Sequence, residues 1–535
     1  MGEGLVKNRL NTAVRLTFAC AAVALVFAPA GGADIRVGVA DDHPKTSPAI
    51  AQQFYDAMND VGLTENRIAV LWDSAHPTTI PERDQIEHAI QGATAHGVHV
   101  TLSIYPDRAR AITGSPRAAA EFAAFTALVA RTFPQVKDFT VGNEPNKARF
   151  WQPQFNANGT DAACGAYESL LAASYDSLKA VDQGITVIGV GLGPRGSDNP
   201  WAAGNLSISP VRCMRDIGRA YRASKRKRPI MDELSYHAYP NKDTDQLETG
   251  YSWPNAGIPN LARIKQAVWD AFFGTSQPTF EEAGMPYGPV RTLKMRLNEV
   301  GWQVTIPPGS RGAYFGSESA VTTDEGTQAA IYGNLIPLVA CDPAVKSVLF
   351  FPLVDEANLI RWQSGLLRAD WTRRPSYAIV KGAIASGQTH CRGRRVAWRH
   401  ESRPVGVHLG FIGGSRPRSV RNTAWNFVAG SEEATLYSAG LFRVQGRGRV
   451  SPAVRARIVR SLRSPRRGGA VLRSIGKLTG GWDKVIAFPA KRLRPGFYVY
   501  GSRIVAELNP ARKAIYVGRP FSVGTTGRSG GLRKP

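Results

Sequence analysis

Residues 98–145 read VHVTLSIYPDRARAITGSPRAAAEFAAFTALVARTFPQVKDFTVGNEP. A β-rich run, VHVTLSIYP, gives way to a turn containing Gly, Ser and Pro. From Arg117 to Phe133 the apolar residues recur at helical spacing, and a second β-rich run, FTVGNEP, begins at Phe139. Strand, loop, helix and loop in that order form the repeating unit of an α/β fold.

The same unit recurs on both sides. Further β-rich runs start near Ile35 (IRVGVA), Arg67 (RIAVLW), Thr186 (TVIGVGLGP), Leu234 (LSYHAYP), Leu293 (LKMRLNEVGW) and Val345 (VKSVLFFPLV), which makes eight in all. SPAIAQQFYDAMNDVG, ERDQIEHAIQGATAHG and TDEGTQAAIYGNLIPLVA are helical in period, and the first two end in Gly, as a helix C-cap does. Eight alternating units over residues 34–391 predict a (β/α)8 TIM barrel, with its chemistry at the C-terminal ends of the strands.

Charge divides the chain at the same place. The 535 residues carry a formal charge of +25, yet residues 392–535 hold 30 Lys+Arg against 5 Asp+Glu, leaving 37 of each sign from the totals of 67 and 42. A hydrophobic content of 43% excludes wholesale disorder, and the 54 Gly and 35 Pro lack the period of collagen. After Cys391 the runs VGVHLGFI, ATLYSAGLFRV, KVIAFP, GFYVYGSRIVAEL and KAIYVGRPFSV predict a smaller, basic β-sandwich over residues 392–522. Residues 450–480 read as a long loop, and residues 523–535 as a disordered tail.

Polar residues gather where the barrel puts its chemistry. Asn143 and Glu144 end the fourth run, His237 and Tyr239 the sixth, Asn298 and Glu299 the seventh. Pro145 offers no N–H to a ladder and biases Glu144 towards an extended backbone, so the strand stops there and presents the carboxylate. Two carboxylates facing each other across a barrel mouth can divide the work on an acetal, one kept ionised beside a cation such as Arg67, the other donating a proton.

At these residues the chain resembles the clan A glycoside hydrolases, such as families 5 and 39, over most of residues 34–391. These are retaining enzymes with an acid/base Glu in an Asn-Glu-Pro motif after strand 4 and a nucleophilic Glu after strand 7. The resemblance implies Glu144 as acid/base, Glu299 as nucleophile, and Asn143 on the sugar 2-hydroxyl. It further implies that Arg67 orients the nucleophile and that Tyr239, paired with His237, touches it. The chain departs from family 5 where strand 8 commonly ends in a Trp floor for the sugar: FFPLVDE offers Phe351 or Leu353, and Trp362 can serve only from the following loop. Strand 3 also ends unusually, in SIYP. Trp302, beside Gly301, is either a sugar platform or packing. Asp355 and Glu356 read as a solvated loop pair. The implied activity is that of a secreted retaining β-glycosidase acting on a polysaccharide or oligosaccharide. The alternative on the same barrel is a secreted carbohydrate-binding protein without catalysis. The last run, RLRPGFYVYGSRIVAELNPAR, looks like the Ig-like modules of secreted actinobacterial proteins.

Residues 1–33 have the plan of a signal peptide: Lys7, Arg9 and Arg15, an apolar run from Leu16 to Phe27, then Ala28-Pro29-Ala30. That run is too short to span a bilayer, so no membrane span is expected after its removal. Outside it lie Cys164, Cys213, Cys341 and Cys391, an even number that predicts two disulfides. Nearness in sequence favours Cys164 with Cys213 and Cys341 with Cys391. No CxxC or HxH pairing suggests zinc, and neither metal nor cofactor is expected. The expected partners are a carbohydrate substrate and, through the basic region, an anionic cell-wall polymer. Nucleic acid is disfavoured, because no recognition motif interleaves aromatics with the bases.

Overall fold

Eight parallel strands close into a barrel in chain order: β1 (Arg36–Ala40), β2 (Glu65–Trp72), β3 (His99–Pro106), β4 (Asp138–Val141), β5 (Thr186–Leu192), β6 (Glu233–His237), β7 (Lys294–Val300) and β8 (Val345–Phe350), with β8 pairing back to β1. Each is one of the eight expected runs. The computed structural model describes residues 34–283, 292–318, 320–414, 425–464, 468–480, 484–488 and 493–523. The expected signal peptide, and the expected tail beyond Val523, lie outside the described residues.

One helix follows each strand: α1 (Pro48–Val61), α2 (Arg83–Ala95), α3 (Ala118–Thr132), α4 (Ala163–Val181), α5 (Pro210–Ala223), α6 (Leu261–Phe272), α7 (Glu325–Ala340) and α8 (Pro375–Ala385). Local chemistry sets their ends. Ser47 accepts a hydrogen bond from the Ile50 amide just ahead of Pro48, and Gly62, at φ 88°, closes α1. Asp324 caps α7 by accepting from the Thr327 amide. The disulfides are Cys164–Cys213, tying α4 to α5, and Cys341–Cys391.

Strand alternation sorts side chains between two environments. Ile68, Val70 and Trp72 of β2, Leu102 and Ile104 of β3, and Phe139 and Val141 of β4 are buried in the apolar core. The alternate positions carry polar groups into the barrel. At its base Arg296, fully buried, donates to Glu65 (2.9 Å), Asp138 (2.5 Å) and Glu233 (2.5 Å), and to Thr101 at 3.2 Å. Burial raises the pKa of Asp138, but the His99 hydrogen bond and the Arg296 charge outweigh it and hold the carboxyl well below its ordinary range. One layer higher, Asn298 donates to Thr140 at 3.2 Å and Arg67 to Ser103 at 2.9 Å.

The basic region forms two antiparallel sheets. The smaller contains β9 (His408–Gly414), β10 (Trp425–Gly430) and β13 (Lys484–Phe488). The larger contains β11 (Thr435–Val444), β12 (Leu472–Leu478), β14 (Gly496–Ala506) and β15 (Lys513–Val517), with β16 (Phe521–Val523) on β14. Both contribute to one core, with Phe427 and Phe488 from the smaller sheet against Leu441, Tyr498, Tyr500 and Ile504 from the larger. Two expectations are corrected here. Residues 450–480 are not a loop: they hold a helix, α9 (Pro452–Arg463), and strand β12. Val523, expected in the tail, ends β16.

From Asp34 onward the chain packs as one compact unit, so this region is docked on the barrel rather than strung from it. Arg512, fully buried, joins Asp270 of α6 (2.6 Å) to Glu433 (2.9 Å), and Arg215 of α5 reaches the same two carboxylates. Nearby, His400 stacks on Trp269 with ring centroids 4.0 Å apart.

Candidate active site

The mouth is built where β4, β6 and β7 end, and after β4 and on β7 the backbone leaves regular geometry to aim a side chain. Gly142, just past β4, sits at φ 82°, and a Cβ there would lie 2.6 Å from the Tyr167 ring. Glu144 itself is at φ 38°. The extended backbone that Pro145 was expected to impose is therefore absent, and the residue is in the left-handed region, a strain of about 1–3 kcal/mol for a non-glycine residue. Tertiary hydrogen bonds hold it there. The Glu144 amide donates to Gly191 O at 2.8 Å, and the Asn146 side chain exchanges hydrogen bonds with Gly193 at 3.0 Å and donates to Ile208 O at 2.9 Å.

On β7, strict alternation would send Asn298 inward and Glu299 outward. The pairing of β7 with β8 shifts register between Leu297 and Val300, and that of β6 with β7 shifts between Tyr236 and His237. These irregularities, which leave the extra residue on β7, turn Glu299 into the mouth, the re-aiming that bulges perform at barrel rims, while His237 faces it by alternation with Glu233 and Ser235.

The groups converge closely. Arg67 donates from one guanidinium nitrogen to Glu299 Oε1 at 2.5 Å and from another to Asn143 Oδ1 at 2.8 Å. Tyr239 donates its hydroxyl to Glu299 Oε2 at 2.8 Å. Fully buried His237 places Nδ1 3.1 Å from Glu144 Oε1 and 3.4 Å from Glu299 Oε2. An oxygen of each carboxylate thus lies within 4.8 Å of the other and of the imidazole nitrogen. Burial raises the pKa of Glu299, yet the charges of His237 and Arg67, with the Tyr239 hydrogen bond, bring it below the ordinary value. Burial pushes the Tyr239 phenol well above its usual range, so it remains a donor. Because Arg67 can only donate, the Asn143 atom facing it is the carbonyl oxygen.

Glu144, His237 and Glu299 also form a cluster of metal-ligating type. Both oxygens of Glu299 already accept from Arg67 and Tyr239, and a guanidinium at 2.5 Å repels a metal ion from the same carboxylate.

Six predicted site residues meet here: Arg67, Asn143, Glu144, His237, Tyr239 and Glu299. Trp302 does not join them. It is 2% exposed, donates its indole N–H to Asp245 O and packs edge-on to Tyr332, so it is packing and no sugar platform. Trp362, in the loop after β8, instead brings a ring to the mouth, stacked on Tyr239 at 4.7 Å. Asp355 is no solvated loop residue either: it is buried in a two-pronged pair with Arg374 and accepts from Tyr314.

Sequence reasoning missed the β1 side of the mouth. Asp41 accepts from the Leu353 and Val354 amides through Oδ2 and from His43 through Oδ1, at 2.7 Å to the ring nitrogen. The Asp41 carboxylate raises the His43 pKa to about 9, with burial opposing and Glu356 and Asp42 adding to it. Glu356 in turn accepts from the Trp362 amide at 3.0 Å, which links His43 to the Tyr239 side. The signal was available: Asp41-Asp42-His43 follows the first β-rich run where a barrel carries its site.

No protein-family model and no curated protein matches this chain. Among solved structures it is similar to a family 39 glycoside hydrolase from the gut symbiont Bacteroides cellulosilyticus WH2, at 17% identity over 77% of this chain and 73% of that one, TM-score 0.45. It is also similar to a monomeric beta-xylosidase from Caulobacter crescentus CB15, at 13% identity over 92% and 97%, TM-score 0.41. A GH5_18 from Bifidobacterium longum subsp. infantis overlaps at 11% identity over 70% and 82%, TM-score 0.43. All these scores are below 0.5, so the reading of the site rests on the chain's own residues.

Proposed function

We propose that this chain is a retaining β-glycosidase that cleaves an oligosaccharide or polysaccharide by double displacement. One observation carries the reading: two carboxylates within 4.8 Å, one of them held ionised by Arg67, His237 and Tyr239. That closeness fits the short carboxylate spacing of retaining enzymes, about 5–5.5 Å between the groups, better than the roughly 6.5–9.5 Å of inverting ones.

In the first step Glu299 attacks the anomeric carbon as the C–O bond to the leaving sugar breaks, and Glu144 gives its proton to the departing oxygen. In the second, Glu144 takes a proton from water, the water oxygen attacks the same carbon, and the ester to Glu299 is released. Arg67 holds Glu299 and Asn143 with one guanidinium, so nucleophile and 2-hydroxyl donor stay in register. Trp362 offers an aromatic face for the sugar ring.

Two further readings belong to this proposal. The chain is exported, which the expected signal peptide and the two disulfides support. The basic sheet region tethers it to an anionic cell-wall polymer, which its 30 to 5 charge imbalance supports. A panel of β-linked glucans, mannans, xylans and galactans, assayed with the wild type, Glu144→Gln and Glu299→Gln, tests the activity. Both variants should lose at least about 1,000-fold in kcat. Wild-type activity in either would end the assignment.

A further inference from the structure

Helix α9 changes what the basic charge of the sheet region can do. Between Thr435 and Ala506 the chain holds sixteen Lys and Arg against Asp483 alone. Ile458 and Leu462 are buried against Phe442 and Val499 of the larger sheet, with Val454 packed beside them, so a four-residue repeat fixes the inner face of α9. At 3.6 residues per turn Arg457, Arg460 and Arg463 lie on the face turned away from the sheet and Arg455 at the edge of the buried ridge, and all four are exposed. Among the described residues no carboxylate pairs with any of them. The next acid in the chain, Glu507, is taken up by Lys477 and by Arg219 of the barrel.

Arg503 of β14 reinforces the face. It lies two residues beyond Gly501, over which Ile458 and Leu462 of α9 pack, and burial and then the charge of Arg463 lower its pKa. The Arg503 Nε–H is buried without a hydrogen-bond partner among the described residues. Adjacent like charges with no acid between them are unfavourable for folding alone, and an incoming anion relieves them.

We propose that the exposed surface of α9, with Arg457, Arg460 and Arg463 outward, Arg455 at its edge and Arg503 nearby, is the binding site for a linear anionic polysaccharide. The inference rests on the tethering role given above and assigns it to one helix. From Arg455 to Arg463 the row covers about 12 Å of helix axis, a length over which successive carboxylate or sulfate groups of one chain can be engaged. Guanidinium forks suit such planar or multi-oxygen anions. A polysaccharide fits better than a nucleic acid because α9 has no aromatic residue on which a base can stack.

The test uses the full chain with polygalacturonate as the probe and its methyl-esterified, uncharged form as control. A fourfold variant, R455Q/R457Q/R460Q/R463Q, keeps helix propensity while removing the charge. R83Q/R117Q/K225Q/K227Q removes four exposed barrel cations and so matches it in net charge. Wild type should bind polygalacturonate, ignore the ester, and lose roughly 50-fold in affinity between 50 and 200 mM salt, the slope for about four neutralised charges. The helix variant should lose at least about 10-fold at low salt and respond less steeply to salt, while the barrel variant stays within about 2-fold of wild type. Unchanged melting temperature and glycosidase activity in both variants show that the fold is kept. Equal weakening in both variants, or none in the helix variant, would refute the assignment to α9 and leave the tether standing. No binding by wild type would remove the tether as well. Tighter binding of a single-stranded oligonucleotide than of polygalacturonate would overturn the polysaccharide in favour of a nucleic acid.

Discussion

Replacing Arg67 by Met removes the side chain that holds both Glu299, the proposed nucleophile, and Asn143, the proposed 2-hydroxyl donor. The guanidinium makes a charged contact to Glu299 at 2.5 Å and another hydrogen bond to Asn143 at 2.8 Å. Each bond to a charged group contributes about 1.5–3 kcal/mol, so about 3–6 kcal/mol is at stake. If that energy is lost in the transition state, kcat/KM falls about 150- to 25,000-fold. The change has a second signature in the pH profile. Burial opposes ionisation of Glu299, and the Arg67 charge is one of the interactions that lower its pKa. The ionised nucleophile is present above that pKa and lost as pH falls through it, so Arg67→Met should move the acid limb of kcat/KM to higher pH. Arg67→Lys keeps the charge without the fork; it should leave the acid limb near wild type while still losing kcat/KM. The assay is kcat/KM on an aryl β-glycoside across the stable pH range. An Arg67→Met profile that keeps the wild-type acid limb, at any activity, would refute the electrostatic role assigned to Arg67.

Three other substitutions probe the frame. Arg296→Met leaves Glu65, Asp138 and Glu233 around an uncharged side chain and should cost about 3–5 kcal/mol in denaturant unfolding; because the Asp138 pKa is depressed in the fold, its share of wild-type stability is present above the ordinary carboxylate pKa and should fade as pH falls through the depressed one. Gly142→Ala meets the Tyr167 ring at 2.6 Å and an unfavourable φ, so it should destabilise by about 1–3 kcal/mol and lower kcat by displacing Asn143 and Glu144. His43 gains stability from Asp41 that is fully present below its unfolded pKa near 6.5 and lost as pH rises through about 9, so the wild-type melting temperature should fall across that window and that of His43→Gln should fall less, a difference of about 1–2 kcal/mol once partial exposure is allowed for.

The barrel was legible because its signal is repeated: eight β-rich runs, each with apolar residues destined for the layer under the helices. The same alternation also encoded the polar interior, in Glu65-x-Arg67 and Arg296-x-Asn298, but a charged residue inside a strand reads alone as a solvated face. Only the closed barrel brings Arg296 to three carboxylates from distant strands. The two carboxylates were legible from Asn-Glu at the ends of the fourth and seventh runs. Their aim was not, since it depends on a left-handed Glu144 held by Gly191 of the next strand and on a register shift before Val300. Whether Trp302 was platform or packing stayed open for a similar reason: Trp302 and Trp362 both follow strands in sequence, and tertiary packing alone decides which ring is covered. Helix α9 was hidden by its arginines, which left a single apolar ridge of Val454, Ile458 and Leu462. Its start was readable in Ser451-Pro452, where the Ser451 hydroxyl accepts from the Val454 amide ahead of a proline at the first helical position.

The central claim is that Glu299 forms a covalent bond to the sugar while Glu144 moves the proton. Incubating the full chain with an activated 2-deoxy-2-fluoro β-glycoside, matched to the best sugar of the panel, and mapping the peptides by mass spectrometry tests it directly. The account predicts one fluoroglycosyl group per chain, on Glu299, absent from Glu299→Gln. It also predicts slower labelling in Glu144→Gln when the leaving group needs protonation. A label on any other residue, or turnover with inverted anomeric configuration and no label, would contradict it.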